Sequence, residues 1–200
     1  MVIKMVKWLQ YSSPETENSA SSNGFHLRQL LDACWSFADE VTLSSYFDLI
    51  LSPRFPQAWE RRNEWEEYKA ALHPWLVGIT ISDRWFGYGR GSTKMGRYLY
   101  HADEDLKEAL CALYQDIFLQ EPIGQPAGEI ISWFSDLCLF SHGKLFFGSI
   151  SHEGEAYLYP LNDELRNIFS SIEGWEECPW RDERSRTRIN AFPWEKTCNG

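Results

Sequence analysis

Residues 133–161 read WFSDLCLFSHGKLFFGSISHEGEAYLYPL, and the way this stretch divides decides the fold. Three apolar runs, WFSDLCLF (133–140), KLFFGSI (144–150) and EAYLYPL (155–161), are separated by SHG and SHEG. Short apolar runs joined by small polar, glycine-containing turns pair with their sequence neighbours, so the stretch predicts a three-stranded antiparallel meander. Immediately after it, Asn162 is placed to cap a short helix carrying Leu165, Ile168, Phe169 and Ile172.

Working outward from the meander, the segment before it holds the clearest helical stripe of the chain, Leu106, Ala109, Leu110, Leu113 and Ile117. Asp103, Glu104 and Asp105 stand at its positive end, and Pro122 lies beyond it. Ahead of that helix, WLVGITI (75–81) and RYLY (97–100) read as strands on either side of the glycine-rich run WFGYGRGSTKMG (85–96). A further helix is expected from Gln57 to Leu72, started by Pro56 and stopped by Pro74, with Ala58, Arg61, Trp65, Tyr68 and Leu72 on one stripe. Its opposite face, Glu60, Arg62, Asn63, Glu64, Glu66, Glu67 and Lys69, reads as a solvated surface held by pairs three or four residues apart. VTLSSYFDLILSPRF (41–55) is apolar with no clear period. From Phe25 another helix is expected, with Leu27, Leu30, Leu31, Cys34, Phe37 and Ala38 inward and Asn23 as its cap. A first strand, Val2 to Tyr11, precedes an exposed polar loop at 12–24, and residues 174–200 read as an irregular tail rich in Trp and Arg. About four helices with an antiparallel sheet make the expected fold α+β, in one domain covering residues 1–200.

Composition narrows the function classes. Aspartate and glutamate exceed lysine and arginine by 29 to 19, a net charge of -10 that repels phosphate backbones and so argues against direct nucleic-acid binding. Ten Trp, nine Tyr and twelve Phe exceed what a core of this size needs, and such side chains favour interfaces. The five cysteines are scattered, odd in number and never spaced C-x-x-C, which points to a reducing compartment and, with no apolar run long enough for a membrane span, to the cytoplasm.

No residue pattern spells an enzyme. The glycine-rich run has Arg90, Lys94 and Arg97 nearby but is followed by a strand, whereas a phosphate-binding loop opens a helix. His26, His73, His101, His142 and His152 show no metal-ligand spacing, and His142 and His152 fall at opposite ends of the central meander strand. Cys34, Cys111 and Cys138 lie among apolar residues, which suppresses a thiolate. No catalytic, cofactor-binding or metal-ligating residue is therefore expected. The best proton-handling cluster is His152 with Glu153 and Glu155, which defines an alternative reading as a small enzyme. A further alternative is a structural or adaptor subunit with an apolar surface patch.

The tail EGWEECPWRDERSRTRINAFPW (173–194) interleaves aromatic and charged residues, the mixture that anchors protein interfaces. Glu173, Trp175, Glu176, Glu177 and Trp180 are the partner-binding residues expected from it. An acidic, Trp-rich chain of this size whose last third holds LCLFSHGKLFFGSISHEGEAYLYPL (137–161) and a short helix resembles the immunity proteins of bacterial polymorphic toxin systems. The resemblance implies a protein that binds a cognate toxin domain and blocks its active site or substrate access. It also implies a basic partner, since acidic immunity proteins often oppose basic nuclease toxins.

Overall fold

A computed structural model describes residues 8–12, 27–86, 94–114, 116–119, 133–178 and 186–195. Along the chain these form β1 (Trp8–Ser12), α1 (Leu27–Cys34), β2 (Glu40–Ser45), α2 (Phe47–Ile50), α3 (Pro56–Glu60), α4 (Arg62–Leu72), β3 (Leu76–Ser82) and β4 (Met95–His101). They continue with α5 (Glu104–Leu113), β5 (Ser135–Ser141), β6 (Lys144–Ile150), β7 (Glu155–Leu158), α6 (Asp163–Ser170) and β8 (Trp175–Cys178). The strands join in one eight-stranded antiparallel sheet, ordered β3-β4-β2-β5-β6-β7-β1-β8. The α+β class and the meander β5-β6-β7 are as expected.

The meander turns follow from their residues. Ser141 pairs with Lys144, so His142 and Gly143 form a two-residue loop, and both take positive φ, 50° and 72°. That is the mirror-image turn whose twist suits a hairpin, and the glycine carries the second left-handed position at no steric cost. Asp39 steadies it by accepting the His142 N–H at 2.5 Å. In β6, Leu145 faces Phe140 and Phe147 faces Leu139, leaving Phe146 as an inserted bulge residue. The bulge turns Phe146 and Phe147 to the same side of the sheet, into the core beneath the helices.

Both faces of the sheet are covered, which is why β4 and β6 are buried along nearly their whole length instead of at alternate residues. On one face α1, α5 and α6 set Leu30, Leu31, Leu110 and Phe169 over Leu139, Phe147 and Leu158. α5 starts on the Asp103 carboxylate, which accepts the Leu106 N–H at 2.8 Å, and α6 starts on Asn162 in the same way at 2.7 Å. The other face carries a second core of Trp8, Trp85, Phe86, Phe140, Ile150, Tyr157 and Ile189.

That second core is roofed by an irregular strap, residues 186–195. At one end Arg188 bridges Lys144, with the Leu145 N–H donating to the Thr187 carbonyl at 3.0 Å. At the other, Ile79 and Glu195 exchange two backbone hydrogen bonds of 3.0 and 2.9 Å on the outer edge of β3. Between these ends Ile189, Phe192 and Trp194 pack inward. The approach at β3 needs Gly78, because a Cβ there would lie 2.9 Å from the Glu195 carbonyl oxygen. We therefore expect Gly78→Val to cost roughly 1–3 kcal/mol and to speed hydrogen exchange at the Ile79 and Glu195 amides while β5 and β6 stay protected. Unchanged exchange at those two amides would show that the strap tolerates the side chain.

Several local expectations are corrected. The single helix from Gln57 to Leu72 is two, α3 and α4, with the break at Arg61, whose guanidinium lies 4.3 Å over the Trp133 ring. Short α2 and α3 raise the expected four α-helices to six among the described residues. The ambiguous stretch 41–55 is strand, then helix. The chain after Gly174 is not wholly irregular, since β8 pairs with β1, and 186–195 packs on the sheet. Ile117 falls beyond the end of α5. Of the first strand, Trp8–Tyr11 is confirmed and Ser12, expected in the loop, extends it, while residues 1–7, the polar segment after Ser12 and the glycine-rich residues 87–93 lie outside the described residues.

Candidate protein-binding surface

Of the residues expected to bind a partner, Trp175 does not reach the surface. Trp175 is only 6% exposed, wedged against Phe169 and Tyr11 at ring distances of 4.8 and 5.7 Å, so it is core and not an anchor. The cause is α6, which packs on β8 and β1 and covers the inner side of that edge. Glu173, Glu176 and Glu177 are exposed, Glu177 lying 3.6 Å from Arg166, and Trp180 is outside the described residues.

His152 and Glu153 occupy the one-turn helix between β6 and β7, 3.8 Å apart and 57% and 48% exposed, while the Glu155 carboxylate accepts the Tyr157 hydroxyl at 2.5 Å. A general base works from an enclosure that fixes its substrate. This pair stands in solvent instead. Burial pushes the Cys34 and Cys111 thiols up and Cys138 to about 12, so thiolates are disfavoured at all three. Among the described residues, no three His, Cys, Asp or Glu side chains are grouped to hold a metal, and no helix is long and apolar enough to cross a membrane.

A different surface emerges from the short helices after β2. A one-turn helix such as α2 has no stability of its own and must be held by packing. Phe47 supplies it, buried 4.6 Å from Trp133 and 5.5 Å from Trp65. Next to it, the Asp48 carboxylate accepts from Trp65 Nε1 at 2.6 Å, Lys69 Nζ at 3.2 Å and the Tyr98 hydroxyl, tying α2 to α4 and β4. With Phe47 turned inward and Asp48 tied to α4 and β4, Tyr46 and Leu49 are left facing outward at 39% and 40% exposure. α3 repeats the pattern: Ala58 is buried, while Phe55 and Trp59 are 52% and 38% exposed. The Trp59 N–H donates to the Phe55 carbonyl at 3.0 Å, which places the two rings one helical turn apart on one flank. Arg62 lies 4.7 Å over the Trp59 ring and steadies it.

Seven large apolar side chains are exposed among the described residues, and four of them fall between Tyr46 and Trp59. A fifth, Ile81, lies at the same end of the sheet, because Ile81 pairs with Gly96, Gly96 with Ser45, and Tyr46 follows Ser45. At roughly 80 Å² from each of these five side chains, this shoulder presents about 400 Å², within the size range of functional patches on monomers.

Beside the shoulder runs an acidic flank. Glu64 pairs with Arg61 at 3.0 Å and Glu66 with Lys69 at 2.9 Å, whereas exposed Glu60 and Glu67 have no ion pair among the described residues. The acidity continues across the helical layer in exposed Glu104 and Asp105 on α5 and in Asp163 and Glu164 on α6. A sequence reading misses the shoulder because an unbroken helix from Gln57 puts Trp59 neither on the apolar stripe nor among the charged residues. The one visible signal was Phe55 isolated between Pro53 and Pro56.

The Asp48 centre also sets a pH limit. Burial, then the hydrogen bond to Asp48, hold the Tyr98 phenol well above its ordinary 10.0, and burial does the same for Tyr100. Above that value the unfolded chain releases protons that the folded one retains, so stability is full below about pH 10 and falls as pH rises beyond it. Urea midpoints from pH 8 to 11 should show the decline. Tyr98→Phe should make it shallower, and an equal slope in that variant would clear Tyr98 of the effect.

No family model matches the chain, and no curated protein or solved structure is similar to it.

Proposed function

We propose that this protein is a stoichiometric binding protein of the immunity type, which neutralises a basic toxin domain by covering it. The observation that carries the reading is the concentration of exposed apolar side chains between Tyr46 and Trp59 beside an acidic flank. Interfaces combine aromatic anchors at the centre with a charged rim, and an acidic rim speeds encounter with a basic partner. Glu173, Glu176 and Glu177, at the opposite end of the strand order, offer a second acidic rim. Free thiols at Cys34, Cys111, Cys138 and Cys178 agree with action in a reducing cytoplasm. The apolar shoulder would equally serve an adaptor subunit, but its acidic border favours a charged partner.

Co-expression with the basic toxin encoded beside this protein's gene tests the proposal. Protection of the host together with a one-to-one complex is the expected result, and the absence of both sinks it. Replacing Phe55 and Trp59 with Ser should abolish protection if the shoulder is the interface. Replacing Glu173, Glu176 and Glu177 with Gln should abolish it instead if the second rim is.

A further inference from the structure

We infer that the Tyr46–Trp59 shoulder receives a single amphipathic, basic helix of the partner, an inference that rests on the binding function proposed above. The exposed side chains come as two pairs each one helical turn long. The Leu49 N–H donates to the Tyr46 carbonyl, and the Trp59 N–H to the Phe55 carbonyl. Paired ridges of this kind accept the i, i+3, i+4 and i+7 anchors of an incoming helix.

Three observations select this occupant. An added β-strand is disfavoured on this edge of the sheet, since the middle of β3 already spends its outer hydrogen bonds, at Ile79, on Glu195. A second copy of the chain is disfavoured by the net charge of -10. The area of about 400 Å² suits one helix, being about half the roughly 800 Å² that each side of a standard protein interface buries. The charge of the helix follows from its surroundings: exposed Glu60, next to Trp59, and exposed Glu67 on α4 have no ion pair among the described residues, and a lysine or arginine flanking the apolar stripe would supply one. Arg62 over Trp59 marks the ring face on which a cation is already accommodated.

The test uses the full chain, isotopically labelled, titrated with a designed Leu/Lys peptide of about five helical turns and with a scrambled peptide of the same composition. Chemical-shift changes confined to residues 46–67 and Ile81, at least about tenfold tighter for the amphipathic peptide, are expected. The double variant Phe55→Ser/Trp59→Ser should lose this preference with its melting curve unchanged. Glu60→Gln/Glu67→Gln should weaken binding severalfold and flatten its salt dependence. Equal binding of both peptides, or shifts centred on α5, α6 or β8, would show charge attraction alone and overturn the inference. Concentration-dependent shifts at the shoulder without peptide would assign it to a second copy and overturn it too. Peptide binding at the shoulder without toxin protection removes the proposed function and leaves this inference standing. Protection without peptide binding does the reverse.

Discussion

Asp136→Asn is expected to destabilise the fold by roughly 3–5 kcal/mol, the cost of leaving a buried charge without its partner. Arg97 and Asp136 are 0% and 1% exposed and 3.4 Å apart. Arg97 also donates to Ser44 Oγ and lies 5.3 Å over the Trp85 ring, while Asp136 Oδ1 accepts the Ser151 N–H at 3.0 Å and the Asp136 N–H donates to Ser151 Oγ at 2.8 Å. The pair therefore ties β2, β4, β5 and the turn after β6 together beneath the sheet's second core. Asparagine is the informative replacement. Asp136 has φ of 53°, a left-handed conformation that asparagine adopts readily, and its amide oxygen still accepts from Ser151, so shape and backbone are kept and only the negative charge is lost. A loss this large is a substantial fraction of the roughly 5–15 kcal/mol that holds an ordinary domain folded. Chemical denaturation should show it, and Arg97→Met added to Asp136→Asn should recover part of it by removing the orphaned cation. Should Asp136→Asn unfold at the wild-type midpoint, the charge of Asp136 is not what secures this centre.

Trp85→Ala is expected to cost about 3–5 kcal/mol, the usual range for emptying a buried tryptophan site, and to loosen the strap as well. The Trp85 ring packs against Phe192, Trp194 and Phe140 at 4.8, 6.1 and 6.2 Å, and Arg97 stacks on it. Removing it takes away the surface on which the strap rests and the cover over the guanidinium together. Phe192→Ala, at a half-buried position of the strap itself, should cost less. A thermal melt gives the magnitude, and hydrogen exchange at Ile79 and Glu195 gives the location. Lost stability with full protection at those two amides would mean that the backbone bridge alone holds the strap.

Local signals made much of the fold readable. Paired turn residues gave the meander, Asn162 and Asp103 marked helix starts, and the stripe Leu106, Leu110 gave α5. What stayed hidden depends on partners distant in the chain. Nothing in WLQYS tells that it will lie between β7 and β8, because pairing with Tyr157 and Trp175 is a property of the assembled sheet. The strap was unreadable for the same reason: INAFPW has no period, and its bridge to Ile79 spans most of the sequence. Trp175 between acidic neighbours looks amphipathic until α6 is known to cover it. At the shoulder the error was one of continuity, since the break at Arg61 decides which way Trp59 faces.

The place of β1 in the sheet bears on how the molecule is made. This strand is made before the other seven, yet its neighbours β7 and β8 are made only after β2 to β6, which at some 5–20 residues per second is a wait of many seconds. The six strands β2 to β7 can pair among themselves, leaving β7 with an open edge until β1 docks on it, with β8 on the far side of β1. That open edge is where a nascent chain is most prone to pair with another copy, and the interval before β1 docks is when a chaperone has most to shield.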